Sequence, residues 1–110
     1  MVGKYILKKT TDDQFLFNLK AANGETILTS ERYRQKQGAV NGIQSCKTNS
    51  GTSKNYEKRS GASGRYHFVL KATNYEIIGT SEQYSSEAAR DNGIASCMTN
   101  GPSAVTDDQA

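Results

Sequence analysis

The residues able to perform acid–base, nucleophilic or metal chemistry are few here, and none stands at a spacing that such chemistry needs. His67 is the single histidine. A general base must lie within hydrogen-bond reach of a nucleophile or an orienting carboxylate, and no serine or cysteine has the context of a nucleophile elbow. In an alternating segment His67 points away from Phe68, which predicts a solvated side chain. Cys46 and Cys97 follow Ile43 and Ile94 at equal spacing, as expected of small buried hydrophobes. Zinc usually takes about four clustered ligands, so two cysteines and one distant histidine imply no metal, and no cofactor signature is present. A Cys46–Cys97 bridge would require Cα atoms within ~7 Å and is disfavoured in a reducing compartment. The recurring glutamates, Glu25 with Glu76 and Glu31 with Glu82, would need a cleft holding carboxyls about 5–9 Å apart to act as a glycosidase pair. They flank short strands and helix starts instead, where capping and dipole complementarity account for them. Ser60-Gly61-Ala62-Ser63-Gly64 lacks the lysine and spacing of a phosphate-binding loop and reads as a hairpin loop.

The elements that position these residues are duplicated. Superposing residues 14–50 on 65–101 without gaps gives 18 identities in 37 positions. Phe17-Asn18-Leu19-Lys20-Ala21 matches Phe68-Val69-Leu70-Lys71-Ala72, and Thr29-Ser30-Glu31 matches Thr80-Ser81-Glu82. Asn41-Gly42-Ile43-Gln44-Ser45-Cys46 matches Asn92-Gly93-Ile94-Ala95-Ser96-Cys97, and Tyr5 falls on Tyr56. Each unit reads strand, strand, strand, helix. The first strands cover about Lys4–Lys8 and Asn55–Arg59. The second alternate, with Phe15, Phe17, Leu19 and Ala21 on one face and Tyr66, Phe68, Leu70 and Ala72 on its counterpart. A turn at Asn23-Gly24, or Asn74-Tyr75 with asparagine as the left-handed residue, leads to a third strand through Ile27 or Ile78. Helices run from about Arg34–Lys36 to Lys47 and from Ser86 to Met98, with Ser85 or Ser86 as N-cap and Asn49 and Asn100 as stops. Ala39, Ile43 and Cys46 form a core-facing stripe. Gly42 and Gly93 each cost roughly 1 kcal/mol inside a helix, which predicts close approach to the sheet.

The expected fold is therefore α+β: tandem β-β-β-α units forming one mainly antiparallel sheet, with two helices on one face. The domain reading is 1–101, built from repeats 3–50 and 54–101, followed by a flexible tail at 102–110. A unit of about fifty residues has little core and open sheet edges; joining two units solves both, which predicts a monomer.

The net charge of +3 is too small to demand a nucleic-acid partner. It is unevenly spread: residues 1–53 hold eight Lys/Arg and four Asp/Glu, residues 54–110 six and seven. The N-terminal run Met1–Lys9 lacks the apolar core of a secretory signal, and no stretch approaches the ~18 apolar residues of a membrane span. A cytoplasmic protein without membrane contact is expected.

Phe17-Asn18-Leu19-Lys20-Ala21, Gly24-Glu25-Thr26-Ile27-Leu28-Thr29-Ser30-Glu31, Asn41-Gly42-Ile43-x-Ser45 and Tyr56-Glu57-Lys58-Arg59 resemble the YegP-like family over residues 3–101. The resemblance implies a single sheet made by a three-strand, helix, strand motif with exchanged end strands. The family includes small bacterial proteins of unknown function, so the resemblance implies no catalytic residue. Cys46 and Cys97 stand where that pattern suggests an aliphatic residue such as valine.

Alternation places Leu16, Asn18, Lys20, His67, Val69 and Lys71, with Ile6 and Arg59, on the face opposite the helices. Lys20, Asn18, Lys71, His67 and Arg59 are the candidate binding residues of a non-enzymatic interaction module with a protein partner. The alternatives are weak single-stranded nucleic-acid binding by the same face and an enzyme whose site lies at an inter-repeat groove uniting Tyr33 and Tyr84. Phe15, Phe17, Tyr66 and Phe68 point to the core, which disfavours base stacking.

Overall fold

The computed structural model describes residues 3–61 and 63–110. Met1–Val2 of the N-terminal run and Ala62 of the Ser60–Gly64 loop lie outside them. The strands are β1 (Lys4–Lys9), β2 (Phe15–Lys20), β3 (Thr26–Ser30), β4 (Tyr56–Ser60), β5 (Tyr66–Lys71), β6 (Ile77–Ser81) and β7 (Val105–Asp108); the helices are α1 (Lys36–Asn49) and α2 (Glu87–Asn100). They build one seven-stranded sheet in the order β4-β5-β6-β3-β2-β1-β7, antiparallel except for β1 with β7. The two units meet where β3 pairs with β6. There Thr29 faces its own counterpart Thr80, which puts the pseudo-twofold axis between them.

Period-two alternation sends Tyr5, Leu7, Phe17, Leu19, Leu28, Phe68 and Leu70 to one face. They form a single core cluster with Ala39, Ile43 and Cys46 of α1 and Ile94 and Cys97 of α2. Both helices thus cover the same side. The two helical glycines make room for tyrosine rather than for the sheet backbone. A Cβ on Gly42 would stand 2.4 Å from Tyr33 Oη, and one on Gly93 2.5 Å from Tyr84 Oη. Each tyrosine is held there by paired backbone hydrogen bonds, Tyr33 with Phe15 and Tyr84 with Tyr66.

Helix ends depart from the sequence reading by a residue or two. Ser86 caps α2, its side chain accepting from Ala89 N at 3.1 Å, whereas Gln35 gives α1 no side-chain cap. Asn49 and Asn100 are the last helical residues, not stops beyond them; their Nδ2 groups donate to Ser45 O and Ser96 O at 2.8 Å. Ser50 and Gly101 follow, each still in right-handed helical backbone and donating its amide to Cys46 O or Cys97 O. Glu31 and Glu82 lie five residues ahead of the helices, so they do not cap them.

Two further expectations are corrected. Residues 102–110 are not a flexible tail throughout: Val105–Asp108 is β7, parallel to β1, with Val105 N donating to Gly3 O and Gln109 N to Leu7 O. In the second hairpin the left-handed residue is Tyr75 (φ 68°), not Asn74, at the place where the first hairpin has Gly24 (φ 87°). Asn23 and Asn74 instead accept the amides of Glu25 and Glu76 through Oδ1 at 3.1 Å. A non-glycine residue pays about 1 kcal/mol in that conformation, and the Tyr75 side chain is 82% exposed, so it recovers little by packing. Tyr75→Gly should therefore raise stability by roughly 0.5–1 kcal/mol in urea unfolding.

Candidate binding face and sheet edges

The open face is ordered by strand register. Its central row runs Asp107, Ile6, Asn18, Thr29, Thr80, Val69, Glu57 from β7 to β4. Asn18 donates from Nδ2 to Thr29 Oγ1 at 2.9 Å. Although no helix covers this row, Ile6, Asn18 and Val69 are buried by neighbouring strands and the longer side chains around them. Lys4 lies across from Lys20, Lys8 across from Leu16, and Arg59 across from His67.

All five candidate residues thus share one face, as alternation predicts, but the structure separates them into two groups. Arg59 and Lys71 are tied to Glu57, the lysine ammonium 2.8 Å from Oε1. These two cations hold the Glu57 carboxyl below the usual glutamate range, the hydrogen bond from Lys71 contributing most. Lys20, with Lys4 and Lys8, joins none of the ion pairs formed among the described residues. By repeat, Glu57 stands in the place of Ile6 and Asn55 in that of Lys4, so the second half sets two cations on one carboxylate while the first has three lysines, with Asp107 of β7 beside Ile6. Asn18 is committed to Thr29. His67 is half-buried, with Nδ1 enclosed and without a hydrogen-bond partner among the described residues, so it is less solvated than alternation alone suggests. Sequence reasoning missed Lys4 and Lys8, although the same period-two rule applied to Lys4–Lys9 finds them.

Two grooves border the halves. One of about 420 Å³ runs beside the β4 edge, lined by Lys54, Tyr56, Glu57, Lys71 and Tyr75. The other, about 250 Å³, lies between the first hairpin and α2, with Glu25, Tyr84, Asn92 and Ser96 on its walls. Tyr33 and Tyr84 do not meet at a shared groove; each packs in its own half and lies near a glutamate of the other. Burial pushes both phenols up, with smaller contributions from carboxylates that include Glu76 for Tyr33 and Glu25 for Tyr84.

The cysteines are free and buried. Burial pushes the Cys46 thiol up to about 11 and that of Cys97 to about 12. Thiolate is the reactive form, so the native protein should show no fast thiol labelling at pH 8. Both thiols should then react on unfolding, read with a chromogenic disulfide reagent.

The two outer edges of the sheet differ in kind. On β1, Leu7 is 1% and Ile6 7% exposed, with β7 alongside. The equivalent residues of β4 are Lys58, bound to Asp91 at 3.2 Å, and Glu57. Charged side chains are a common protection of an uncovered edge, whereas the apolar β1 edge is protected by a strand. Lys36 of α1 anchors that strand through Asp108 at 2.7 Å. This contact is the largest cause holding the Asp108 carboxyl below the ordinary aspartate value of 3.8. A depressed folded-state value means that the contribution is present above 3.8 and lost as pH falls through the folded value. Amide shifts of 105–109 should therefore move toward coil values in strong acid before those of β2 and β5.

A family model described as a domain of unknown function (DUF1508) matches residues 11–57 and again 62–108. Each matched unit ends in the strand after its helix, so β7 is the closing strand of the second unit. Among curated proteins, a UPF0339 protein of Shewanella oneidensis is 54% identical over 108 residues, covering 98% of both chains. YegP of Escherichia coli is 47% identical over the same length and coverage. The solution NMR structure of E. coli YegP, a protein of unknown function, superposes with a TM-score of 0.93, covering 99% of this chain and 94% of that one. The Shewanella oneidensis structure gives 0.92, covering 98% and 92%. With two matched units and full-length relatives of this kind, the chain belongs to the DUF1508 family, as a tandem-repeat member of the UPF0339/YegP-like bacterial proteins.

Proposed function

We propose that this protein is a non-enzymatic interaction module whose open sheet face docks a carboxylate-rich surface of a partner protein. The observation that carries this reading is the asymmetry of the face. Lys4, Lys8 and Lys20 surround Ile6 and Leu16 in the first half, while Glu57 engages the cations of the second. Lysines beside an apolar centre suit an acidic partner whose own apolar groups can settle between them. In this reading the chain is a monomer, because the second repeat supplies what a second subunit would. It works in the cytoplasm, a location in keeping with two free buried thiols. Among the described residues no helix is long and apolar enough to cross a membrane.

An amide NMR titration with a poly-glutamate peptide at low salt tests it. Shifts should cluster on Lys4–Lys8 and Leu16–Lys20. Lys20→Glu should weaken binding about fivefold or more, and Lys71→Glu less, because Lys71 is already engaged. Equal affinity of the Lys20→Glu protein would exclude this face. A mixed-sequence single-stranded oligonucleotide run in parallel addresses the nucleic-acid reading, for which the open face offers lysines to phosphates while Phe15, Phe17, Tyr66 and Phe68 point away from it. Binding that exceeds the peptide's and falls steeply with salt would favour it.

A further inference from the structure

The repeat makes β7 anomalous. By sequence, Val105–Asp108 is the counterpart of Lys54–Glu57, the segment that enters β4 beside β5. The corresponding place beside β2 is taken by β1, whose Tyr5, Ile6 and Leu7 are buried. The closing strand therefore lands one position further out, on the outer edge of β1 and in parallel. Its hold there is slight. It is four residues long, three of them exposed, with Val105 50% exposed, and its anchoring ion pair is about half solvent-accessible at each end. The surface beneath it has the opposite character, since Ile6 and Leu7 replace the charged pair that protects β4.

We propose that the outer edge of β1 is a strand-acceptor site for an extended segment of a partner protein, and that β7 fills it as an intramolecular stand-in. The occupant's chemistry is read from β7. It runs parallel to β1, carries the β-branched Val105 and Thr106 opposite Lys4 and Tyr5, and presents carboxylates opposite Ile6 and Leu7, the second of them to Lys36. Main-chain pairing supplies the affinity and the Lys36 contact the selectivity, as in other cases of strand addition to an exposed sheet edge. The site is the edge, not the open face, so the two readings stand or fall separately.

The test uses the labelled full-length chain and a synthetic peptide with the sequence of residues 102–110. In an Asp108→Lys chain the resident strand is repelled by Lys36 while the peptide keeps its carboxylate. The peptide should then saturate the site, shifting Gly3–Leu7 amides and releasing those of 105–109 to coil positions. The gain over the unmodified chain should be about tenfold, the effect of losing one ion pair and adding a like-charge contact. A peptide with lysine in place of that aspartate should bind at least fivefold more weakly, and Lys36→Glu in the chain should reverse the preference. Three results would overturn the proposal: unmoved β1 amides in both chains at millimolar peptide, equal binding of the two peptides, or an Asp108→Lys chain that only exchanges strands with a second copy and ignores the peptide.

Discussion

Replacing Gly101 with alanine should destabilise the protein by about 2–3 kcal/mol, within the usual range for overpacking a closed site. Ser50 and Gly101 are repeat equivalents, and the C-terminal ends of the two helices bring them against each other. A Cβ at Gly101 would lie 2.1 Å from Ser50 Oγ, 2.6 Å from Ser50 Cβ and 2.9 Å from Cys97 O. The surroundings cannot easily yield. Gly101 N donates to Cys97 O at 2.8 Å, Ser50 N to Cys46 O at 2.8 Å, and Tyr5 Oη donates to Gly101 O at 2.7 Å. Only one of the two positions can carry a side chain, so which one carries it should matter little. Ser50→Gly combined with Gly101→Ala should recover most of the loss, leaving a net cost of about 1 kcal/mol or less from the added helix-end glycine. Guanidinium unfolding of the four members of this cycle decides the point. Additive single costs would mean that the two residues do not compete for the same space.

Ending the chain at Gly101 should cost about 2 kcal/mol and lower the melting temperature by roughly 8–15 °C, the scale expected for a chain of this size. The lost segment removes Ala104, 2% exposed, from the core and uncovers Ile6 and Leu7 on a sheet edge. An apolar edge with free backbone donors and acceptors is a template for association. The truncated protein should therefore also self-associate at concentrations where the intact chain does not, measured by light scattering. Ile6→Glu, which copies Glu57 of β4 on the open face and leaves Leu7 in the core, should suppress that association in the truncated chain. Truncation without loss of stability would show that β7 contributes nothing to the fold. Association that survives Ile6→Glu in a chain that still unfolds cooperatively would place the sticky surface elsewhere.

Much of this molecule follows from local rules. The repeat, the alternation of Phe15–Ala21 and Tyr66–Ala72, the helix stripe through Ala39, Ile43 and Cys46, and the Ser86 cap depend on neighbours a few residues apart. A period of two or 3.6 is visible along the chain itself, so the sequence alone determined the α+β class, the side on which the helices pack and the face that carries Lys20, Asn18, Lys71, His67 and Arg59. It also required that something lie close to Gly42 and Gly93, without saying that the neighbour is a tyrosine ring.

Only the tertiary structure decided what depends on encounters between distant segments. Val105–Asp108 has neither apolar alternation nor strong strand character of its own, and it becomes β7 because Ile6 and Leu7 of β1 need cover. Glu57 binding Lys71 follows from the antiparallel pairing of β4 with β5, and with Arg59 two residues on along β4 it leaves the free lysines to the first half. Tyr75 takes a left-handed backbone because the hairpin geometry requires it there, against its own preference. In each case the deciding energy belongs to the surface the segment meets, and that surface exists only once the sheet has formed.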